Sequence, residues 1–540
     1  MPPKKASFSK GRKSKGNSGL SQEFDNANDY VEAADEFESA MRKWSAGDAE
    51  KSLRFYNRAL AVYEEGLQKF PKDFDLAYNK ANLQYLLATD ARLLKHILST
   101  KQATEVDLLQ QSLESHRYAM HLDQGNSEIL FNTATVLTSL AEKFDESNDD
   151  ERKWDAIKFL QEAIELFSSC LTRQEFDLDE FKTMQREVQA AHDTQEEIMP
   201  EQGETEMVDS PELAEVVEAI TPSTLIETAL AEMSAITTLV TIVSSDTPAR
   251  ANISSTLASL NEIGSNILGV KLPAYMDLLS KMPVIEKKGP PMEVRVLSVT
   301  TSKVEIESNI PSISPFEEAQ REIAIVSVTF YSSLASAEYS NNLTSYQSYA
   351  LRLESIFEGV NATRDETSPD FLLARATAYD DFATAILISD VDRDLQNARE
   401  VAWNALSISV ASISDALNGL SQKKSGAKLS SKDILKSRLF LLGGDVALHQ
   451  HRLATATPGS QDVVKKELMA KAFHSYEEAE REAIDVSDED MMVEARIKKF
   501  LVESGGNPSQ STFVGLDLAT VNSVIQDMAD QGLIEMATKL

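Results

Sequence analysis

Seven histidines, one cysteine and 86 acidic residues are the groups in this 540-residue chain that could do chemistry. The histidines are His96, His116, His121, His192, His449, His451 and His474. His449 and His451 stand two apart, which on a helix turns their rings to different faces, and His116 and His121 stand five apart. Neither spacing brings two imidazoles onto one metal ion. The acid clusters at 145–150 and 485–490 superficially resemble calcium loops, but lack the glycine and closing glutamate at the required spacing. Cys170 lies between Phe167 and Leu171 and reads as a core residue rather than a nucleophile. A single cysteine excludes an internal disulfide framework and any cysteine-clustered zinc or iron–sulfur site. No GxxxxGK[ST] loop, HExxH, GxSxG or strand–Gly-rich–helix unit occurs. Paired carboxylates are too numerous to point to a catalytic pair. The expectation is no catalytic residue, no metal, no cofactor and no enzyme activity.

Charge is the stronger signal. Acidic residues outnumber basic ones 86 to 53, for a net charge of −33. Residues 1–22 run the other way, with Lys4, Lys5, Lys10, Arg12, Lys13 and Lys15 and no acid. That tail has too few apolar residues to offset the entropy of folding, so it reads as disordered, with the pattern of a nuclear-import signal. From Glu187 to Ala249 there are 14 acids and no Lys or Arg. So negative a body repels phosphate backbones and attracts basic proteins, so no direct nucleic-acid binding is expected. Hydrophobic residues make up 42% and charged residues 26%, the balance of a soluble globular chain. The longest apolar stretch, Ala235 to Val243, is nine residues with three threonines, from which no membrane span is expected. No signal-peptide pattern opens the sequence. The expected location is intracellular, in nucleus or cytoplasm.

The elements that must carry these residues read as helices. Tyr30, Ala33, Ala34, Phe37, Ala40, Met41 and Trp44 share one helical stripe. Gly47-Asp48 breaks it. A second stripe follows through Leu53, Tyr56, Ala59, Leu60, Tyr63 and Leu67 and stops before Pro71. The unit recurs in Tyr78, Asn79, Ala81 and Asn82, then Ser112, Ala119 and Leu122-Asp123. It returns in Asn126, Leu130, Phe131, Asn132, Ala134 and Leu137, then Ala156, Leu160, Ala163 and Ile164 after Trp154.

These offsets resemble the tetratricopeptide repeat (TPR) family, a helix–turn–helix of 34 residues in the family pattern. The match is irregular. His116 stands where the family carries an aromatic, the helix after Gly47 is long, and extra residues separate Ala141 from Trp154. About three repeats are expected over residues 30–190. The resemblance implies an all-α fold: a TPR-like α-solenoid of antiparallel helix pairs whose first helices line a groove that holds a protein segment. It places Asn79 and Asn132 where such grooves clamp a peptide backbone. Lys80 is nearly the only cation on the candidate first helices, so a basic or apolar segment suits the groove better than an acidic tail.

The chain then divides into a disordered basic tail (1–22), a TPR-like domain (23–192), an acidic linker (193–222), a second helical-repeat region (223–504) and a linker with a C-terminal capping helix (505–540). Thr221-Pro222 reads as an N-cap and first helical position. The second region holds an irregular insertion, 281–315, where Val294, Val296, Val304 and Ile306 alternate among five prolines. Phe371, Leu372, Ala376 and Tyr379 followed by Ala398, Ala402, Ala405 and Leu406 resemble one more repeat. Leu442, Gly443 and Leu448 followed by Ala472, Tyr476 and Ala479 resemble another. Ser210, Thr221, Thr247, Ser314 and Ser368 each precede a proline, as proline-directed phosphorylation sites do. The last helix, through Leu518, Val521, Val524, Ile525, Met528 and Leu533, superficially resembles a winged-helix recognition helix but has no basic face. The leading expectation is a scaffold, escort or assembly chaperone for a basic protein. The alternatives are a structural subunit of a larger complex and an enzyme with its site in 281–380.

Overall fold

Local signals start and stop the helices in the computed structural model. It describes residues 24–45, 47–100, 103–146, 150–196, 220–244, 252–281, 314–360, 368–388, 395–421, 431–456, 462–486, 488–505, 513 and 515–534. The six cations of the basic tail, the alternating stretch 294–306 and residues 197–219 of the acidic stretch lie outside these. The described residues form eighteen α-helices and one π-helical turn, with no strand among them. The fold is all-α.

Helix α1 (Ala27–Ser45) buries Tyr30, Ala34 and Met41. Gly47-Asp48 turns the chain, and the Asp48 carboxylate accepts from Lys51 N at 2.9 Å to open α2 (Ala49–Lys69). Asp73 does the same for α3 (Phe74–Thr89). A short α4 (Ala91–Thr100) intervenes before α5 (Glu105–Leu122), which starts in a reciprocal capping box between Thr104 and Asp107. Asn126 caps α6 (Ser127–Asp145), and α7 (Asp150–Glu196) runs for 47 residues. The helices pack in pairs, α1 on α2, α3 on α5 and α6 on α7, and α1, α3 and α6 also touch in succession. Ala59, Ala81, Ala119, Ala134, Ala156 and Ala163 are fully buried, so small side chains set how closely neighbouring helices approach.

Two compact units divide the chain. The first contains Met1–Ile242 and resumes at Gly269; the second contains Val243–Leu268 and the remainder from Thr300 on. The first unit thus includes nearly all of α8 (Pro222–Ser244), opened by the Thr221 hydroxyl, which accepts from Thr224 N at 3.3 Å. By length and composition α8 could cross a membrane, with a mean hydropathy of 1.5, but 67% of that window is packed inside the protein. That is the environment of a core helix. Helix α9 (Ile253–Asn266), a π-helical turn (Ile267–Lys271) and α10 (Leu272–Ser280) run on without a break. Pro273 has no N–H to return to the Gly269 carbonyl, so the wider turn forms just before it.

In the second unit, α11 (Pro315–Ser340) packs on α12 (Tyr346–Val360), α13 (Pro369–Ile388) on α14 (Leu395–Ser421), and α15 (Ser431–Ala456) on α16 (Asp462–Val486). Helices α11, α13 and α15 again touch in succession, and α17 (Glu489–Glu503) and α18 (Leu518–Asp530) complete the row. Gly264 of α9 lies against the Phe330 ring of α11, where an added Cβ would fall 2.4 Å from a ring carbon. Only glycine allows that approach. Ser314 and Ser368, like Thr221, serve as N-caps ahead of their prolines. Ser210 and Thr247 lie outside the described residues. The C-terminal helix ends at Asp530, short of the expected Leu533, because Gly532 turns the chain at φ +70°.

Candidate functional site

Asn79, Lys80 and Asn132 all lie on the row formed by α1, α3 and α6, and all three are half-buried. Their environments differ. Asn132 Nδ2 donates to Tyr78 Oη at 3.0 Å and to Asn82 Oδ1 at 3.1 Å. Both its N–H groups are therefore spent joining α6 to α3, and only its carbonyl has no partner among the described residues. Asn79 has no side-chain hydrogen bond there. Lys80 Nζ lies 3.4 Å from Glu64 Oε1 of α2 and borders a hollow of about 230 Å³ lined by Leu67, Ala77, Glu114, Ser115 and Tyr118.

Behind Asn132 the polar chain continues inward. His116 of α5 is fully buried, with Nε2 3.3 Å from Asn82 Oδ1 and Nδ1 2.9 Å from the Ser112 carbonyl. Burial pulls its imidazole down to about 4, opposed in part by the Ser112 bond, so the ring is neutral near pH 7. The ring lies edge-on to Tyr85 at 6.4 Å, and its nitrogens serve the polar chain. This chain ties three helices together at residues half-open to solvent. It can orient a donor or acceptor, and it presents no charged nucleophile or base. The periodicity of each helix gave no sign of it, because Asn82 and Asn132 are brought together only by tertiary packing.

The one other cation on α3 and α6 is also paired. Lys143 Nζ sits 3.5 Å from Glu105 and 3.1 Å from Glu146. Elsewhere in the unit, Cys170 is buried, its thiol donating to the Ser127 carbonyl at 3.1 Å and pushed up to about 12 by burial. Glu232 of α8 is buried beside it; burial pushes its carboxyl up to about 7, and its Oε2 has no hydrogen-bond partner among the described residues. Neither shift was legible in the sequence, since it depends on what packs over the residue. In the second unit a further buried set gathers around Asp445, which accepts from Tyr476 Oη at 2.7 Å and from Lys498 Nζ at 3.0 Å. Burial works against the Lys498 charge, but Asp445 and Glu494 more than offset it, so the ammonium titrates above the usual lysine range.

No family model matches the chain. A stretch of 147 residues is 33% identical to a protein of Schizosaccharomyces pombe called UPF0656 protein C926.02, a name that states no activity. The match takes in 27% of this chain and 30% of that protein, so it spans under a third of the relative's length. Among solved structures, one described as a circular tandem repeat protein with novel repeat topology and enhanced subunit contact surfaces covers 93% of this chain and 99% of its own. It does so at 11% identity and a TM-score of 0.27.

Proposed function

We propose that the chain is a TPR-like binding protein, an escort or scaffold that holds a basic segment of another protein along the α1–α3–α6 row. The observation that carries this reading is the state of the charges. The chain has a net charge of −33, and the cations on α3 and α6, Lys80 and Lys143, are already paired with Glu64, Glu105 and Glu146. On α1, Arg42 is likewise paired with Glu38, which leaves Lys43 as the row's one cation without an ion pair among the described residues. Little positive charge is left along the row to receive an acidic segment, whereas a basic one meets unbalanced acid. In this reading the free carbonyl of Asn132 accepts a main-chain N–H of the bound segment and Asn79 offers a second contact. Binding and release is the whole of the mechanism, with no covalent step.

The test is a fluorescence-anisotropy titration of the full chain with a labelled Lys/Arg-rich peptide and an acidic control, at low and high salt. The basic peptide should bind, with affinity falling about tenfold or more as salt shortens the screening length. Equal binding of the acidic peptide, or no loss with salt, overturns the proposal. A parallel pull-down that returns the same few proteins stoichiometrically at high salt would make the chain a complex subunit instead.

A further inference from the structure

His449 of α15 is buried, and both ring nitrogens face acceptors. Nδ1 lies 2.8 Å from Asp380 Oδ1 on α13, and Nε2 lies 3.0 Å from the main-chain carbonyl of Gln531, in the turn that ends α18. One turn along α15, Arg452 donates to the carbonyl of the next residue, Gly532. Two side chains of one helix thus grip two successive carbonyls of the C-terminal turn. Helix α18 itself lays Val521, Ile525 and Met528 onto Leu448, Ile497 and Leu501 of α15 and α17.

A neutral imidazole carries one N–H, and a carboxylate and a carbonyl are both acceptors only. With the proton kept on Nδ1 for Asp380, Nε2 would turn a lone pair toward the Gln531 oxygen. Thr384 Oγ1, 3.3 Å from Nε2, would then supply the hydrogen to that nitrogen and leave Gln531 without a donor. We propose that His449 is the proton-operated catch of a C-terminal latch. As the imidazolium it holds α18 closed through Gln531, and on losing one proton to solvent it lets the turn go and uncovers the apolar face of α15 and α17.

The charges around the ring agree. Burial works against the imidazolium, but the Asp380 carboxylate, its hydrogen bond, the Gln531 carbonyl and the more distant Asp445 lift the ring above its ordinary value. Asp381 on α13 is pushed up to about 7 by desolvation and by the neighbouring Asp380, so it gains its charge over the same pH range, while Tyr476 of α16 and Lys498 of α17 are engaged with Asp445. Because the closed state binds the proton more tightly than the open one, the catch is fully engaged below about pH 6.5 and weakens as pH rises through the closed-state value.

Hydrogen exchange of residues 518–534 in the full chain, read as protection factors from pH 5.5 to 9, tests this. Protection should be level below about pH 6.5 and then fall by up to about tenfold per pH unit. Asp381→Asn, which removes the neighbouring carboxyl that also titrates near 7, should keep the fall, and His449→Gln added to it should make the profile level. A level profile in the wild type or in Asp381→Asn, or a fall that persists in the double variant, overturns the latch. Direct NMR titration of the wild-type ring needs no variant. An imidazole that loses its proton below about 6.5 overturns it as well.

Discussion

His116 and His449 are both buried and have opposite needs. His116 sits among Asn82, Ser112 and Tyr85 with no carboxylate in contact among the described residues, so burial outweighs the Ser112 bond and the ring stays neutral. His449 faces a carboxylate at 2.8 Å and keeps its proton. The sign of each effect on stability follows. For His116, the unfolded ring takes up a proton near 6.5 and the folded one only near 4. Its contribution is present above about 6.5 and drains away as pH falls toward 4, to the extent of about 3 kcal/mol. Urea unfolding followed by a probe in the first unit should show this acid loss, and His116→Phe should remove most of it. His116→Ala should cost about 2–4 kcal/mol at pH 7, from the cavity and the stranded Asn82 and Ser112 groups. A midpoint unchanged in the alanine variant would show that the polar chain does not tie the helices.

At the scale of single elements, α15 offers a paired test in adjacent glycines. A Cβ on Gly444 would lie 2.3 Å from the Tyr476 ring, whose hydroxyl is anchored on Asp445. A Cβ on Gly443 meets nothing closer than 3.6 Å. Gly443→Ala should therefore stabilise by about 0.5–1 kcal/mol through helix propensity. Gly444→Ala should destabilise by about 1–3 kcal/mol, because the ring cannot step aside without losing its anchor. Thermal melts of the two variants read both signs. The pairing of helices was legible because its signals are local. Gly47-Asp48 and Asn126 mark starts, Pro71 marks a stop, and buried alanines repeat on one face. Helix α4 escaped notice because it is only ten residues long, too short for its apolar residues Leu93, Leu94, Ile97 and Leu98 to repeat over several turns, and only Leu93 and Ile97 of them are buried. The caps at Ser314 and Ser368 read in the sequence only as modification dipeptides, since the same Ser-Pro pair serves both purposes. The Tyr78–Asn132–Asn82–His116 chain and the grip on Gln531 join residues 50 or more positions apart in places. No spacing rule reaches that far.

For the whole molecule, the sign of the surface charge is the property to perturb. Lys80→Glu adds two negative charges' worth of change beside Glu64 and should tighten the basic peptide, most clearly at low salt. Weaker binding in that variant would mean that Lys80 itself receives the partner. Cys170 has a different use. It is the chain's single thiol, belongs to the first unit, and is sealed by its neighbours with its proton held far above neutral pH. A thiol-reactive dye added to native protein is therefore silent until the packing around α7 parts, and then reports that event and nothing in the second unit. The rate of colour development at increasing dye is a clock for the first unit's breathing, present in the natural sequence without an engineered label.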